Sequence, residues 1–339
     1  MLTITSSELS YILNKFKTIG KVCYIRVDDL TKTMKLCVDL DTVNLMVDFY
    51  QTPDMLYTDK ETEVSFVVPD IIKLADPDAS LKLISNEDVR TITIECSKPH
   101  FTVQVPKSEL TLEPFDTNYT FREMDCLQDI HKAVSLSKGL AQELSNNLMI
   151  ELCNDMWLVH TSQSCYFGRQ TVLKGSLPYS TFEKIYDPKL KIGFAQISDT
   201  VLMSKCRYSK YDVYMKAPLQ DEYRLAPALP KIVERCNSKY YDVMMSEDVS
   251  TVCSGLITNV KKDKVNVVFS DNDVNLNYIS NLIELNTKPG TKGLTIQVPI
   301  RTLSLIKDMC VVGCELYSDM EVICLLNETK GLILSGPIY

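Results

Sequence analysis

A helix-like segment followed by alternating strands occurs three times in this chain, at intervals of roughly a third of its length. The segments lie near Leu9–Ile19, Asp125–Lys138 and Pro227–Lys239, with shorter helix-like pieces at Pro69–Asp76, Tyr179–Asp187 and Ile300–Met309. Six helices, each feeding strands, describe a quasi-repetitive α+β scaffold rather than an enzyme built around one pocket. At 339 residues the chain is also long for a single core, and two or three domains is the prior.

The first helix has its apolar face at Leu9, Ile12, Leu13 and Phe16, the i, i+3, i+4, i+7 spacing of an amphipathic helix. Ser6 or Ser7 supplies its N-cap. Strands are expected at 22–27, 33–40 and 43–49; a second round begins at 64–68, with Pro69 opening a short helix. The middle third repeats the order: strand-like Tyr119–Arg122, a helix burying Leu127, Ile130 and Val134, then strands including Cys165–Lys174. In the last third the helix opening at Pro227 precedes expected strands at Tyr241–Met245, Ser250–Thr258 and Val265–Phe269, while Asn272–Leu285 takes no assignment. The final unit runs through Leu294–Val298, a helix burying Leu303 and Ile306, and strands at Val311–Tyr317, Glu321–Leu325 and Gly331–Leu334. The turn-rich stretch near Leu112 and the polar linker after Ala217 divide the chain into segments 1–115, 116–219 and 220–339.

Composition narrows the function classes. Hydrophobic residues are 45% and charged residues 24%, the balance of a soluble globular protein. No apolar run approaches the roughly 18 residues of a membrane span, and the first residues lack the basic and apolar regions of an export signal, so a cytoplasmic protein is expected. The twelve cysteines are scattered without a CxxC, several inside apolar strand runs where a thiol acts as a small hydrophobe. His100, His131 and His160 are far apart in sequence, and no phosphate-binding loop or nucleophile elbow is present; no metal or cofactor is expected. Net charge is −8, which argues against a protein that simply coats nucleic acid. The helix segments nonetheless carry a slight basic surplus, and the acidic excess lies elsewhere.

Three segments, each a doubled helix-plus-strands motif, resemble the DNA sliding clamps that act as polymerase processivity factors. The stretch Val298–Lys307 followed by two strands, and the ending Gly331–Tyr339 with its apolar, proline-containing tail, carry the likeness most clearly. The three-domain bacterial type is the closer pattern, although this chain is shorter and divergent, which suggests a bacteriophage or other viral origin. The resemblance implies three repeated clamp-type domains assembling head-to-tail into a homodimeric ring around duplex DNA. It implies a non-catalytic role in DNA replication, with polymerase and clamp loader bound through short linear motifs.

Under that resemblance the inward-facing helices carry the DNA-facing cations: Lys15, Lys17, Lys73, Lys132, Lys138, Lys184, Lys231, Arg235, Arg301 and Lys307. Each one alone is equally a solvated lysine or arginine on a polar helix face; recurrence over six elements is the argument. The family's partner pocket maps onto Thr161, Tyr166, Phe167, Pro218, Leu219 and the tail Pro337, Ile338, Tyr339. The family often has a small-residue turn with His and Arg there, whereas this chain reads Ser162–Arg169 without that pair, and Tyr166 and Phe167 also fit strand core. Two other classes stay open: a β-rich viral scaffold or transcription-associated interaction protein, and a cysteine-dependent hydrolase needing a Cys–His pair made by the fold.

Overall fold

A computed structural model describes the chain apart from residues 29, 32, 51–54, 59–61, 144–147, 154, 170–172, 221–224, 226–227, 237–238, 246, 260–263, 271–281, 287–293, 320 and 336–339. The first part of the chain forms β1 (Leu2–Ser6), α1 (Leu9–Lys15), β2 (Val22–Asp28), β3 (Thr33–Asp39), β4 (Asn44–Phe49), β5 (Met55–Thr58) and β6 (Glu63–Val67). A 3-10 turn at Asp70–Leu74 leads to β7 (Leu81–Ser85), β8 (Thr91–Ser97) and β9 (His100–Pro106). Next come α2 (Leu127–Glu143), β10 (Met149–Cys153), β11 (Met156–His160), β12 (Ser164–Arg169), β13 (Gly175–Pro178) and α3 (Tyr179–Ile185). They are followed by β14 (Ile192–Ser198), β15 (Val201–Arg207), β16 (Tyr211–Pro218), α4 (Leu229–Arg235), β17 (Lys239–Val243) and α5 (Glu247–Asn259). The chain continues with β18 (Lys264–Ser270), β19 (Leu282–Asn286), β20 (Leu294–Pro299), α6 (Leu303–Val312), β21 (Cys314–Ser318), β22 (Val322–Leu326) and β23 (Lys330–Ser335).

Two compact units result, Met1–Glu123 with Glu183–Pro218, and Met124–Phe182 with Leu219–Tyr339. This grouping follows the sheets rather than the expected repeats, because β16 pairs with β4 and β12 pairs with β23. In the first unit a five-stranded sheet runs β5-β1-β7-β8-β9 and a seven-stranded sheet runs β14-β15-β16-β4-β3-β2-β6. In the second, an eight-stranded sheet runs β13-β10-β11-β12-β23-β22-β21-β17, beside a three-stranded sheet β19-β18-β20. Among these pairs only β18 with β19 is parallel.

Alternation does most of the folding work. In β1, Leu2 and Ile4 are buried while Thr3 and Thr5 are only half-buried, the period-2 pattern of a sheet with one face on the core. The α1 face also forms as expected, with Leu9, Ile12 and Leu13 buried. Its start differs: the N-cap is Glu8, and Ser6 and Ser7 donate their hydroxyls to the Glu8 carboxylate instead of capping the helix.

The largest correction concerns Ser250–Thr258, expected as a strand and found inside α5. Cys253 and Leu256 are its buried residues, three apart on one helix face, and α5 packs on α6. The helix that packs on α6 in the last third is therefore α5, not the segment opening at Pro227, which forms only the short α4. Tyr119–Arg122 contributes a single bridge, Arg122 with Phe194, rather than a strand. The α6 helix extends through Val312 and ends at Gly313, where φ is 93°, so Val311 and Val312 belong to the helix and not to β21. The unassigned stretch lies outside the described residues as far as 281, after which β19 forms.

Candidate DNA-facing cations and an apolar margin

Each predicted cation must be judged by what already holds it. In the first unit, Lys15 donates to the Tyr208 hydroxyl at 2.9 Å, lies 3.8 Å from Asp187, and sits over the rings of Tyr11 and Tyr208 at 5.4 and 5.2 Å. Burial alone would lower its ammonium, but the hydrogen bonds to Tyr208 and Tyr11 outweigh it and hold the pKa above the usual lysine range. Its charge is spent tying α1 to the β15–β16 turn. Lys184 is similarly engaged, donating to the Leu40 carbonyl and the Thr42 hydroxyl at 2.7 and 2.9 Å. Lys73 is exposed and pairs with Asp70 at 2.6 Å across one turn. Lys17 is exposed just beyond α1, with φ of 52°.

In the second unit α2 and α6 pack on one face of the eight-stranded sheet and on each other, and α5 packs on α6. Lys132 of α2 pairs with Asp308 of α6 and remains 54% exposed. Lys138 of α2 is exposed and lies 5.1 Å from the Tyr179 ring. Lys307 donates to the Ser254 hydroxyl on α5 at 2.6 Å, and Arg301 is exposed just before α6. The sequence of α5 contains no Lys or Arg. Lys231 and Arg235 belong to α4, which lies against the other face of the sheet; Lys231 is exposed, and Arg235 is ion-paired to Asp319 and Glu321 at 2.9 and 2.8 Å. These two residues therefore stand apart from the helix layer that holds Lys132, Lys138, Arg301 and Lys307.

The predicted pocket residues are also sorted by the pleat. Tyr166 and Phe167 are successive strand residues and point to opposite faces. Tyr166 is 1% exposed, stacks on Trp157 with centroids 6.0 Å apart, and donates its hydroxyl to Asp308 of α6. Burial, reinforced by Asp308, raises its phenol well above the usual range. Tyr166 is thus helix-side core and does not line a pocket on the opposite face. Phe167 faces that other side, its ring lying over Gly331, where an added Cβ would come within 2.6 Å of three ring carbons.

Thr161 is buried in the β11–β12 turn, where its hydroxyl meets Ser164 Oγ at 3.0 Å and accepts the Ser164 N–H. That turn accepts the Ser335 N–H at the Gln163 carbonyl, 3.0 Å away. Leu219 is buried against Gly175, whose φ of 135° and missing side chain allow the approach. Pro218 is in the first unit, where it lines a cavity of about 190 Å³ with Asp41, Asn44 and Lys216. Pro337, Ile338 and Tyr339 lie outside the described residues.

Sequence reasoning missed what covers the Phe167 face. Leu158, Cys165, Cys324 and Ile333 of the sheet form a buried cluster with Leu229 and Cys236 at the ends of α4. Half-buried Met156, Phe167, Val322 and Leu326 from the sheet, and Leu225, Ile232 and Val233 from the covering segment, border it. These half-buried side chains form an apolar margin where the sheet meets Leu225 and residues 228–236. Beneath it, Glu151 is 1% exposed and accepts from His160 Nε2 at 2.6 Å and from the Leu225 N–H at 3.2 Å. The signal was present in the alternation of β10, which puts Glu151 on the same face as Cys153.

No family model matches the sequence, and no curated protein matches it. Solved structures do. The chain is similar to the DNA polymerase III subunit beta from Pseudomonas aeruginosa, at 10% identity, 99% coverage of both chains and a TM-score of 0.65. It is similar to the Helicobacter pylori beta clamp bound to a DNA ligase peptide, at 10% identity, 99% coverage of both and a TM-score of 0.67. A putative DNA polymerase III beta subunit from Eubacterium rectale matches at 12% identity, with 99% coverage of both and a TM-score of 0.67.

Proposed function

We propose that this chain, which has the β-clamp fold along its whole length, is a DNA sliding clamp: a homodimeric ring that encircles duplex DNA and tethers a polymerase. The observation that carries the reading is the match over 99% of both chains to DNA polymerase III beta subunits, because a clamp works by its architecture. A tether needs no bond-making chemistry. Burial pushes the Cys324 thiol up to about 12, opposite to an activated nucleophile.

Encircling DNA while still sliding calls for weak, sequence-independent attraction to phosphates. The exposed or partly exposed cations Lys17, Lys73, Lys132, Lys138, Arg301 and Lys307 supply it in this reading, while Lys15 and Lys184 serve the fold. Several of these side chains share their charge with a nearby carboxylate or hydroxyl, which weakens any one phosphate contact. Ring closure uses a heterologous interface repeated twice. The edge strand β9, whose described outer side has only the bridge from Lys107 to Phe66 near it, is the candidate for pairing across it.

In this reading the apolar margin beside α4 serves as the partner groove of the second unit, taking short linear segments with apolar anchors. The H. pylori beta clamp was solved with a DNA ligase peptide; here polymerase and clamp loader are the expected occupants, in the compartment where DNA is replicated. No helix among the described residues is long and apolar enough to cross a membrane.

Negative-stain electron microscopy of the purified protein over a concentration series tests the reading. Closed rings with a central hole wide enough for duplex DNA are expected. Particles without a hole at every concentration, with or without DNA, refute it.

A further inference from the structure

The segment made of Leu225 and residues 228–236 has little internal reason to stay where it is. Its helix, α4, is seven residues long, has no side-chain cap bond and carries Pro230 in its first turn; helices this short do not hold in water on their own. Its position therefore comes from docking. Leu229 and Cys236, at 1% and 2% exposure, enter the cluster of Leu158, Cys165, Cys324 and Ile333. Among the described residues, a polar contact holds each end. At the far end Arg235 spans Asp319 and Glu321 in the open, where salt screens it. At the near end the Leu225 N–H is held by Glu151, a carboxylate beneath the segment and away from water.

We propose that Leu225 and residues 228–236 act as a strap pinned by Glu151, and that Glu151 is thereby the positioning residue of the partner groove. A carboxylate can hold two donors at once: Oε1 receives the His160 ring nitrogen at 2.6 Å, and both oxygens lie within 3.4 Å of the Leu225 nitrogen. His160 comes from β11 and Glu151 from the adjacent β10, so the pin is referred to the rigid sheet. Ile232 and Val233, the strap's half-buried contribution to the groove wall, are then set at a fixed distance from Phe167, Met156 and Leu326. A groove whose wall is held in place before binding spares its occupant the ordering cost. The occupant of the groove rests on the clamp reading; the seating of the strap does not.

Cys236 gives a direct reporter, since it is covered only while the strap is seated. In the full-length protein, N-ethylmaleimide labelling of Cys236 is followed by peptide mass spectrometry, with Cys310 under the helix layer of the same unit as internal control. Glu151→Ala is expected to raise the Cys236 rate about tenfold, the factor that about 1.4 kcal/mol gives, with Cys310 unchanged. Glu151→Gln, which keeps an acceptor for the Leu225 N–H, is expected to stay within about threefold of the parent. An unchanged Cys236 rate in Glu151→Ala, or equal exposure in both variants, overturns the pin. A parallel rise at Cys310 overturns it too, by showing general loosening. The second readout is fluorescence anisotropy with a labelled Ala-Leu-Ala-Leu-Phe peptide as apolar probe. Weaker binding by about tenfold in Glu151→Ala, rescued in Glu151→Gln, supports the positioning role. An opened strap with unchanged probe affinity refutes that role, and a parent protein that does not bind the probe refutes the groove's occupant while the Cys236 result still judges the strap.

Discussion

Adding one methyl group at Gly168 measures how tightly the eight-stranded sheet is packed on its helix side. Gly168 lies opposite Trp157 in the β11–β12 pair, and the indole fills the space a side chain would take. A Cβ built there comes 2.6, 2.7 and 2.9 Å from Trp157 Cζ2, Cε2 and Nε1, so the ring must retreat by about 1 Å to regain ordinary contact. It has nowhere easy to go. Trp157 stacks on Tyr166, whose hydroxyl is tied to Asp308, and moving one ring disturbs the other. Overpacking of a dense core costs about 1–3 kcal/mol, and this site belongs at the upper end, about 3 kcal/mol. For a unit of 150–250 residues that is a fall in melting temperature of about 6–12 °C. Trp157 is the only tryptophan, so its emission during thermal unfolding reports the second unit selectively. A contrasting substitution sharpens the assay: Gly255 lies within α5 with nothing within 4 Å of its built Cβ, and Gly255→Ala is expected to stabilise by about 0.5–1 kcal/mol. If Gly168→Ala melts within about 2 °C of the parent with unchanged emission, the close approach is not a packing constraint and the reasoning fails.

Tyr166→Phe removes the donor from a nearly buried carboxylate and is expected to cost about 1.5–3 kcal/mol in urea unfolding, while leaving peptide binding at the groove unchanged; lost binding at full stability would return Tyr166 to the pocket. If Lys17 and Arg301 meet phosphate, replacing both by Ala lowers the slope of log affinity against log salt for duplex DNA by about 0.9 per cation, whereas Lys15→Met leaves the slope alone and destabilises the first unit. A slope that moves only with Lys15 would invert this assignment. Burial alone would raise the Asp319 carboxyl, but the Val322 and Glu321 N–H groups and Arg235 hold it below its ordinary value. Its stabilisation is therefore complete above about pH 3.9 and fades as pH falls through the lower folded value. Asp319→Asn should be less stable than the parent near neutrality and lose less on acidification, as followed by urea midpoints from pH 6 to 2.

The fold was legible where period and composition agreed. Alternation located most strands, and α1 announced itself through Leu9, Ile12, Leu13 and Phe16. It failed at α5, where Ser250, Thr251, Val252, Thr258 and Gly255 have the composition of a strand while Cys253 and Leu256 have the spacing of a helix; packing against α6 decided, as tertiary context overrides weak local propensity. The resulting shift moved Lys231 and Arg235 off the helix layer. Part of the candidate site was legible as residue types, but its orientation was not. Tyr166 and Phe167 are adjacent in sequence, yet only the strand's facing separates a core phenol from a groove-lining ring. Glu151 could be placed on a face, but its link to Leu225 joins residues 74 apart in sequence, and no local pattern contains such a link.

Two strand pairings deserve to be followed through protein synthesis. The seven-stranded sheet needs β16 beside β4, and the eight-stranded sheet needs β23 in its interior, between β12 and β22. The first sheet cannot finish until translation has passed Pro218, and the second cannot finish until Ser335 has left the ribosome. Until then β12 exposes an unpaired, largely apolar margin, the kind of open strand edge on which nascent chains associate wrongly. Loop closure over such separations also slows folding. A chain organised this way gains from a slow pause-free finish or a holding chaperone late in its synthesis, and a stop introduced just before Lys330 should yield aggregates rather than a shortened but folded second unit.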